Sequence, residues 1–201
     1  MKYKPRPQGR GFSFKARPDH DRGLRLLSIR PATPADLPAI AAIYGDAVLN
    51  GTASWELEPP DEAELLRRFE AILAGGYPYL AAERDGLLLG YAYASAYRPR
   101  PAYRATVENS IYIAAGAQGS GVGSALLAAL MHDCASRGFR QMIAVIGDGT
   151  GASVGSRRLH ERAGFRLIGV AEKIGFKHGR WLDQMLMQKE LGEGSATPPS
   201  A

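Results

Sequence analysis

Gly119, Gly121 and Gly123 alternate between an apolar, β-prone stretch at 111–113 and a helix-like run over 125–137. A strand that turns through glycines onto a helix start leaves unpaired backbone N–H groups at the positive end of a helix dipole. Such a place binds phosphate. Spacing narrows the ligand. A Walker loop needs a lysine beside its last glycine, and 111–137 contains none. A dinucleotide loop needs Gly-x-Gly-x-x-Gly near the start of its domain, whereas these glycines alternate deep in the chain. What is left is Gln-x-x-Gly-x-Gly, Gln118 to Gly123. A turn of this kind can also do no more than join a strand to a helix.

The elements around the turn alternate. Residues 26–30 read as a strand. Thr33, Pro34 and Asp36 open a helix in capping-box fashion, with Leu37, Ile40, Ala41, Ile43, Tyr44 and Val48 at helical spacing. Pro59 and Pro60 break the chain, and Asp61 starts a second helix that stops at Gly75 and Gly76. Strands at 79–83 and 87–96 flank Asp85-Gly86, a hairpin turn. A strand at 106–113 leads into the glycines, and the 125–137 helix stops at Gly138. The run 142–146 suits a buried parallel strand. A helix over 153–162 and strands at 165–170 and 181–188 close a single α/β domain, a mixed sheet flanked by helices, over 25–191.

Composition bounds the rest. A chain of 201 residues with 45% hydrophobic content fits one soluble domain, and no apolar run is long enough to span a membrane. The single cysteine, Cys134, rules out an intrachain disulfide framework and a cysteine-rich metal site, and no metal is expected. It falls inside the 125–137 helix, where a buried, inert thiol is expected. The N-terminus lacks the apolar core of a signal peptide, and a cytoplasmic location is expected. The net charge of +5 belongs to an arm: residues 1–27 carry eight Lys or Arg against Asp19 and Asp21, and the remainder is near neutral. Residues 1–24 are expected to be a disordered basic arm and 192–201 a disordered tail. The arm's few aromatics argue against nucleic-acid binding.

The glycine pattern resembles the acyl-CoA pyrophosphate loop of the GNAT acetyltransferases, and other segments extend the likeness. Arg98-Pro-Arg100-Pro-Ala-Tyr103-Arg104-Ala-Thr106-Val107-Glu108 is similar to the phosphinothricin and methionine sulfone N-acetyltransferase family. So are Val145-Ile146-Gly147-Asp148, Leu159-His160-Glu161-Arg-Ala-Gly164-Phe165, and Gly175-Phe176-Lys177-His178-Gly179-Arg180-Trp181-Leu-Asp183. The resemblance covers 27–191. It implies the GNAT fold, acetyl-CoA as co-substrate, a small amino-acid-like amine as acceptor, and a homodimer meeting at the closing hairpin. Lys177, His178 and Trp181 are accordingly structural or interface residues first.

The resemblance implies the following roles, position by position. The N–H groups of Gly119, Ser120, Gly121, Val122, Gly123 and Ser124, with Gln118 ahead of them, hold the pyrophosphate. The strand Ile111, Tyr112, Ile113 pairs with the pantetheine arm, and a backbone N–H there faces the thioester oxygen. Glu108 is the base that takes the ammonium proton, and partial burial would raise its pKa to suit. A carboxylate among Val107, Ile111 and Ile113 can otherwise be a strand-edge charge. His160 is either a proton donor to the leaving thiolate or a packing histidine. Arg98, Arg100 and Tyr103 offer a fork for the acceptor's acidic group. Trp55 is a pocket wall or packs between the first two helices. One segment departs from the family: Ser153 stands where Asn is usual, although Ser156 keeps its Ser, and the 147–157 loop is longer and rich in glycine. Ser153 and Ser156 are still expected near the cofactor. The departure leaves open another acceptor, such as a polyamine, an antibiotic or a protein N-terminus, and more remotely a non-catalytic acyl-CoA-binding module.

Overall fold

The computed structural model describes residues 26–148 and 153–199. The basic arm expected over 1–24 lies outside them. Along the chain run β1 (Ser28–Pro31), α1 (Leu37–Asn50), α2 (Glu62–Ala74), β2 (Tyr79–Arg84), β3 (Leu87–Ala96), β4 (Thr106–Ile113), α3 (Val122–Ser136), β5 (Gln141–Gly147), α4 (Val154–Arg162), β6 (Arg166–Lys177) and β7 (Arg180–Glu190). This is the order read from the sequence. The seven strands form one sheet in the order β1-β2-β3-β4-β5-β7-β6, parallel only between β4 and β5.

Strand alternation serves two cores, one on each face. Leu80, Ala82, Ala92 and Ala94 pack with Val122, Leu126, Leu127, Leu130 and Cys134 of α3. Tyr79, Ala81 and Tyr91, their neighbours in sequence, pack with Ile40, Tyr44 and Val48 of α1 and Phe69 of α2. Burial on both faces is why these strands read as nearly continuous apolar runs. Cys134 is fully buried, which pushes its thiol up to about 12 and leaves it inert.

Four differences from the sequence reading have local causes. The first helix opens with a 3-10 turn at Pro34–Asp36, where the Asp36 carboxylate accepts the Thr33 N–H at 2.7 Å. The glycine helix begins at Val122, three residues earlier than its apolar pattern suggests, because Gly121 adopts φ 88° just before it. β6 continues well past Val170 to Lys177. Its register shifts between Ala171 and Gly175, and Lys173 lies at φ 51°, so an irregularity broke the period-2 pattern without ending the pairing. Residues 192–199 form turns rather than a featureless tail: Gly194 N–H donates to Leu191 O, and Arg140 binds Glu193 and Thr197.

Candidate active site

β4 and β5 pair from Thr106–Gln141 to Asn109–Ala144 and no further. Beyond that point β4 stays with β3 as far as Ile113, and β5 stays with β7 as far as Gly147. Where the pairing stops lies a cavity of about 380 Å³, within the range of small-molecule sites. Glu108, Asn109, Ser110, Ile111 and Tyr112 of β4 line it, together with Val145, Ile146 and Gly147 of β5 and Gln184 of β7. Tyr44, Trp55 and Glu56 close one side, and Ser153, Ser156 and His160 close another. A gap between strands explains why consecutive β4 residues all reach it although their side chains point to opposite faces.

Glu108 is half-buried, and burial raises its carboxyl above the ordinary carboxylate value against the pull of Arg98. His160, 3% exposed, is held through both ring nitrogens. Nδ1 lies 2.8 Å from Ser156 O and Nε2 3.0 Å from Asn109 Oδ1. The Asn109 amide is oriented by its own donation to Ile143 O at 3.1 Å. Both partners of the ring are therefore acceptors, and the neutral ring, with one N–H, donates to one of them at a time. Burial lowers the His160 pKa, and the bond to Ser156 O opposes that shift. The Phe165 ring stands edge-on to the imidazole at 4.9 Å.

The opposite wall is a short loop after α1. Tyr44 Oη lies 3.0 Å from Ser54 Oγ and donates to Glu56 Oε1 at 3.1 Å, where Arg68 also binds. The charged residues among the described cavity lining are Glu56 and Glu108, with His160 as the titratable cation.

The glycine loop follows β4. After a 3-10 turn at Ala115–Ala117, Gly119 and Gly121 lie at φ 73° and 88°. A Cβ at either would meet nothing within 4 Å, so the left-handed backbone, not crowding, requires glycine there. No side chain caps the N-terminus of α3. Its first N–H groups face a surface where Gly119, Ser120, Gly121 and Ser124 are exposed, the arrangement a pyrophosphate needs. Val122 can offer only its N–H, since its side chain is fully buried in the core. The Ser120 hydroxyl donates to Ala117 O, which leaves its backbone for ligand contact.

Of the residues singled out from sequence, Glu108, His160, Trp55, Ile111, Tyr112, Ser153 and Ser156 line the cavity. Ile113 and 118–124 lie outside it, at the far end of β4. Arg98, Arg100 and Tyr103 do not line it either: all three are exposed, with Arg98 over the Tyr97 ring at 5.2 Å and Tyr97 edge-on to Tyr103. The Ser153 hydroxyl lies 3.3 Å from Thr52 Oγ1. Sequence reasoning missed Tyr44, Glu56, Asn109, Ser110 and Gln184. Asn109 and Ser110 had a signal, two polar residues beside Glu108 in an otherwise apolar strand. Tyr44 had none, because it sits on the apolar stripe of α1.

A model of the acetyltransferase (GNAT) domain matches residues 29–186. The chain belongs to the GNAT acetyltransferase family. Its GNAT relatives include a phosphinothricin N-acetyltransferase of Alcaligenes faecalis, 51% identical over 173 residues, which are 86% of each chain. An L-methionine sulfoximine/L-methionine sulfone acetyltransferase of Pseudomonas paraeruginosa is 43% identical over 172 residues, covering 85% of this chain and 98% of that protein. The crystal structure of a phosphinothricin acetyltransferase from Sinorhizobium meliloti in complex with AcCoA superposes with a TM-score of 0.83 at 51% identity, covering 87% of this chain and 93% of that one. The parted strands, the glycine turn and the mixed sheet are thus the GNAT fold.

Proposed function

We propose that the protein transfers the acetyl group of acetyl-CoA directly to the free amine of a small amino-acid-like acceptor of the phosphinothricin, methionine sulfone or methionine sulfoximine type. The carrying observation is Glu108: a carboxylate of raised pKa, half-buried in a cavity that opens where β4 and β5 part, one strand length from an uncapped glycine helix start. The relatives' acceptors supply the substrate class.

The residues divide the work by position. Backbone N–H groups of 119–124 bind the pyrophosphate, and the β4 edge at 111–113 orients the pantetheine arm. Acetyl-CoA supplies the activated thioester. Glu108 takes the proton from the acceptor ammonium, directly or through water, so that the amine can attack. Donation from His160 to a departing thiolate would first require Nε2 to leave Asn109. His160 is therefore a residue that shapes the cavity ahead of a free acid. Arg98, Arg100 and Tyr103 are exposed and lie outside the lining.

The test is thiol release with the three named acceptors by wild type and Glu108→Gln; equal turnover removes Glu108 from the role of base. A second reading, a cationic acceptor such as a polyamine, is favoured by Glu56 and Glu108 being the fixed charges of the described lining. Preferential turnover of a polyamine in the same assay would select it. The homodimer draws support from the last hairpin, where Leu167, Val170, Ile174, Phe176 and Trp181 are all exposed. Sedimentation of a monomer at micromolar concentration would refute it. The buried thiol of Cys134 suits a reducing cytoplasm.

A further inference from the structure

Trp55 stands in space that two glycines leave open. A Cβ on Gly175 of β6 would lie 2.6 Å from Cε3 and 2.8 Å from Cη2 of the indole. A Cβ on Gly147, the last residue of β5, would overlap indole Nε1, lie 3.1 Å from Cδ1 and collide with Thr52 O. Carbon atoms rest about 3.5–4.0 Å apart, so neither position tolerates a side chain while the indole is there. The backbone is not the reason: neither glycine is among those with positive φ. The loop that carries Trp55 is also tied to the β6–β7 hairpin. Lys177, 5% exposed, donates from Nζ to Ser54 O at 2.6 Å, and His178 Nε2 lies 3.1 Å from Gly51 O.

We propose that Gly147 and Gly175 form a socket that seats Trp55 as the acceptor-side wall of the cavity, with the hairpin clamp holding the loop in register, so that these two glycines determine which acceptors fit. Gly175 is a positioning residue: it does not line the cavity, and it acts through the indole. The inference rests on reading this cavity as the acceptor site.

The experiment uses the full chain carrying Trp181→Phe, so that Trp55 is its one tryptophan. Into it go Gly175→Ala and, as control, Gly169→Ala on the same strand, where a Cβ meets nothing within 4 Å. For Gly175→Ala we expect a shifted Trp55 emission maximum and an acceptor KM raised about tenfold or more, since small misplacements of a positioning group are costly. The acetyl-CoA KM should stay within twofold, and Gly169→Ala should match its parent in every readout. An unchanged acceptor KM in Gly175→Ala overturns the proposal, as does an acetyl-CoA KM that rises in step. A parent enzyme that acetylates none of the acceptors fails the functional reading instead, and the acceptor role of the socket falls with it. If Gly175→Ala does not fold, Gly175→Ala/Trp55→Leu decides: recovery of folding supports the socket, and continued failure overturns it.

Discussion

The cavity runs along β4 from Glu108 to Tyr112, the glycine loop follows the end of that strand, and the two are built by opposite means. The loop takes seven consecutive residues, 118–124, and the atoms proposed to bind are backbone N–H groups on an exposed turn. The cavity draws side chains from α1, the loop after it, β4, β5, α4 and β7, and their polar atoms are already committed: Asn109 to His160 and Ile143, Tyr44 to Ser54 and Glu56. A backbone site needs a local conformation, whereas a side-chain site needs the whole sheet. The loop should therefore fail locally when changed, and the cavity should fail cooperatively with the fold.

The sharpest division comes from Glu108→Gln, which keeps the size of the side chain and removes the proposed base. Acceptor kcat/KM should fall by about 10²–10⁴, with the acetyl-CoA KM unchanged. In the wild type, kcat/KM should rise with pH along a limb lying above the ordinary carboxylate value, and the variant should lack that limb. Stability should move the other way. A carboxyl whose folded pKa is raised favours the fold below its unfolded pKa and loses that advantage as pH rises through the folded one. Thermal unfolding at pH 7 should thus find Glu108→Gln more stable than wild type.

Asn109→Leu tests whether the cavity is wired into the fold. It strands the His160 ring and Ile143 O in a buried site, at a cost of about 1–3 kcal/mol, readable by urea unfolding. A loss confined to activity would mean that the cavity is as local as the loop. Next, Gly119→Ala and Gly121→Ala place side chains at φ 73° and 88°, costing about 1–2 kcal/mol each. Both should raise the acetyl-CoA KM and spare the acceptor KM, and an acceptor effect of equal size would merge the two regions. His160 gives a smaller, pH-dependent effect. Its lowered pKa contributes stability above pH 6.5 that is lost as pH falls toward the folded value. His160→Phe should flatten that stretch of a melting-temperature profile. The smallest effect is expected from Arg98→Ala, which should move the Glu108 limb slightly upward, because an exposed cation is screened. If it also raises the acceptor KM, the arginine loop belongs to the acceptor site.

Much of the architecture was legible because its signals are local. Asp85-Gly86 marks the β2–β3 turn, with φ 56° and 75°. Asp61 caps α2 through Glu64 N–H. The apolar runs of the central strands and the helical stripes placed every strand and α-helix in order. The glycine spacing could be read for the same reason, since a left-handed turn is visible without knowing what lies opposite, and Glu108 stood out as a carboxylate in an apolar strand whose role only the family resemblance suggested. Only the tertiary structure decided what faces the carboxylate. The stop in β4–β5 pairing after Asn109 has no sequence mark, and neither does the convergence of Tyr44, Trp55 and His160 on one gap from three distant segments. Gly147 and Gly175 look like ordinary strand glycines until an indole from far along the chain is seen between them. Local backbone preference is encoded residue by residue, but a cavity depends on where several strands and helices come to rest against one another, which packing alone determines.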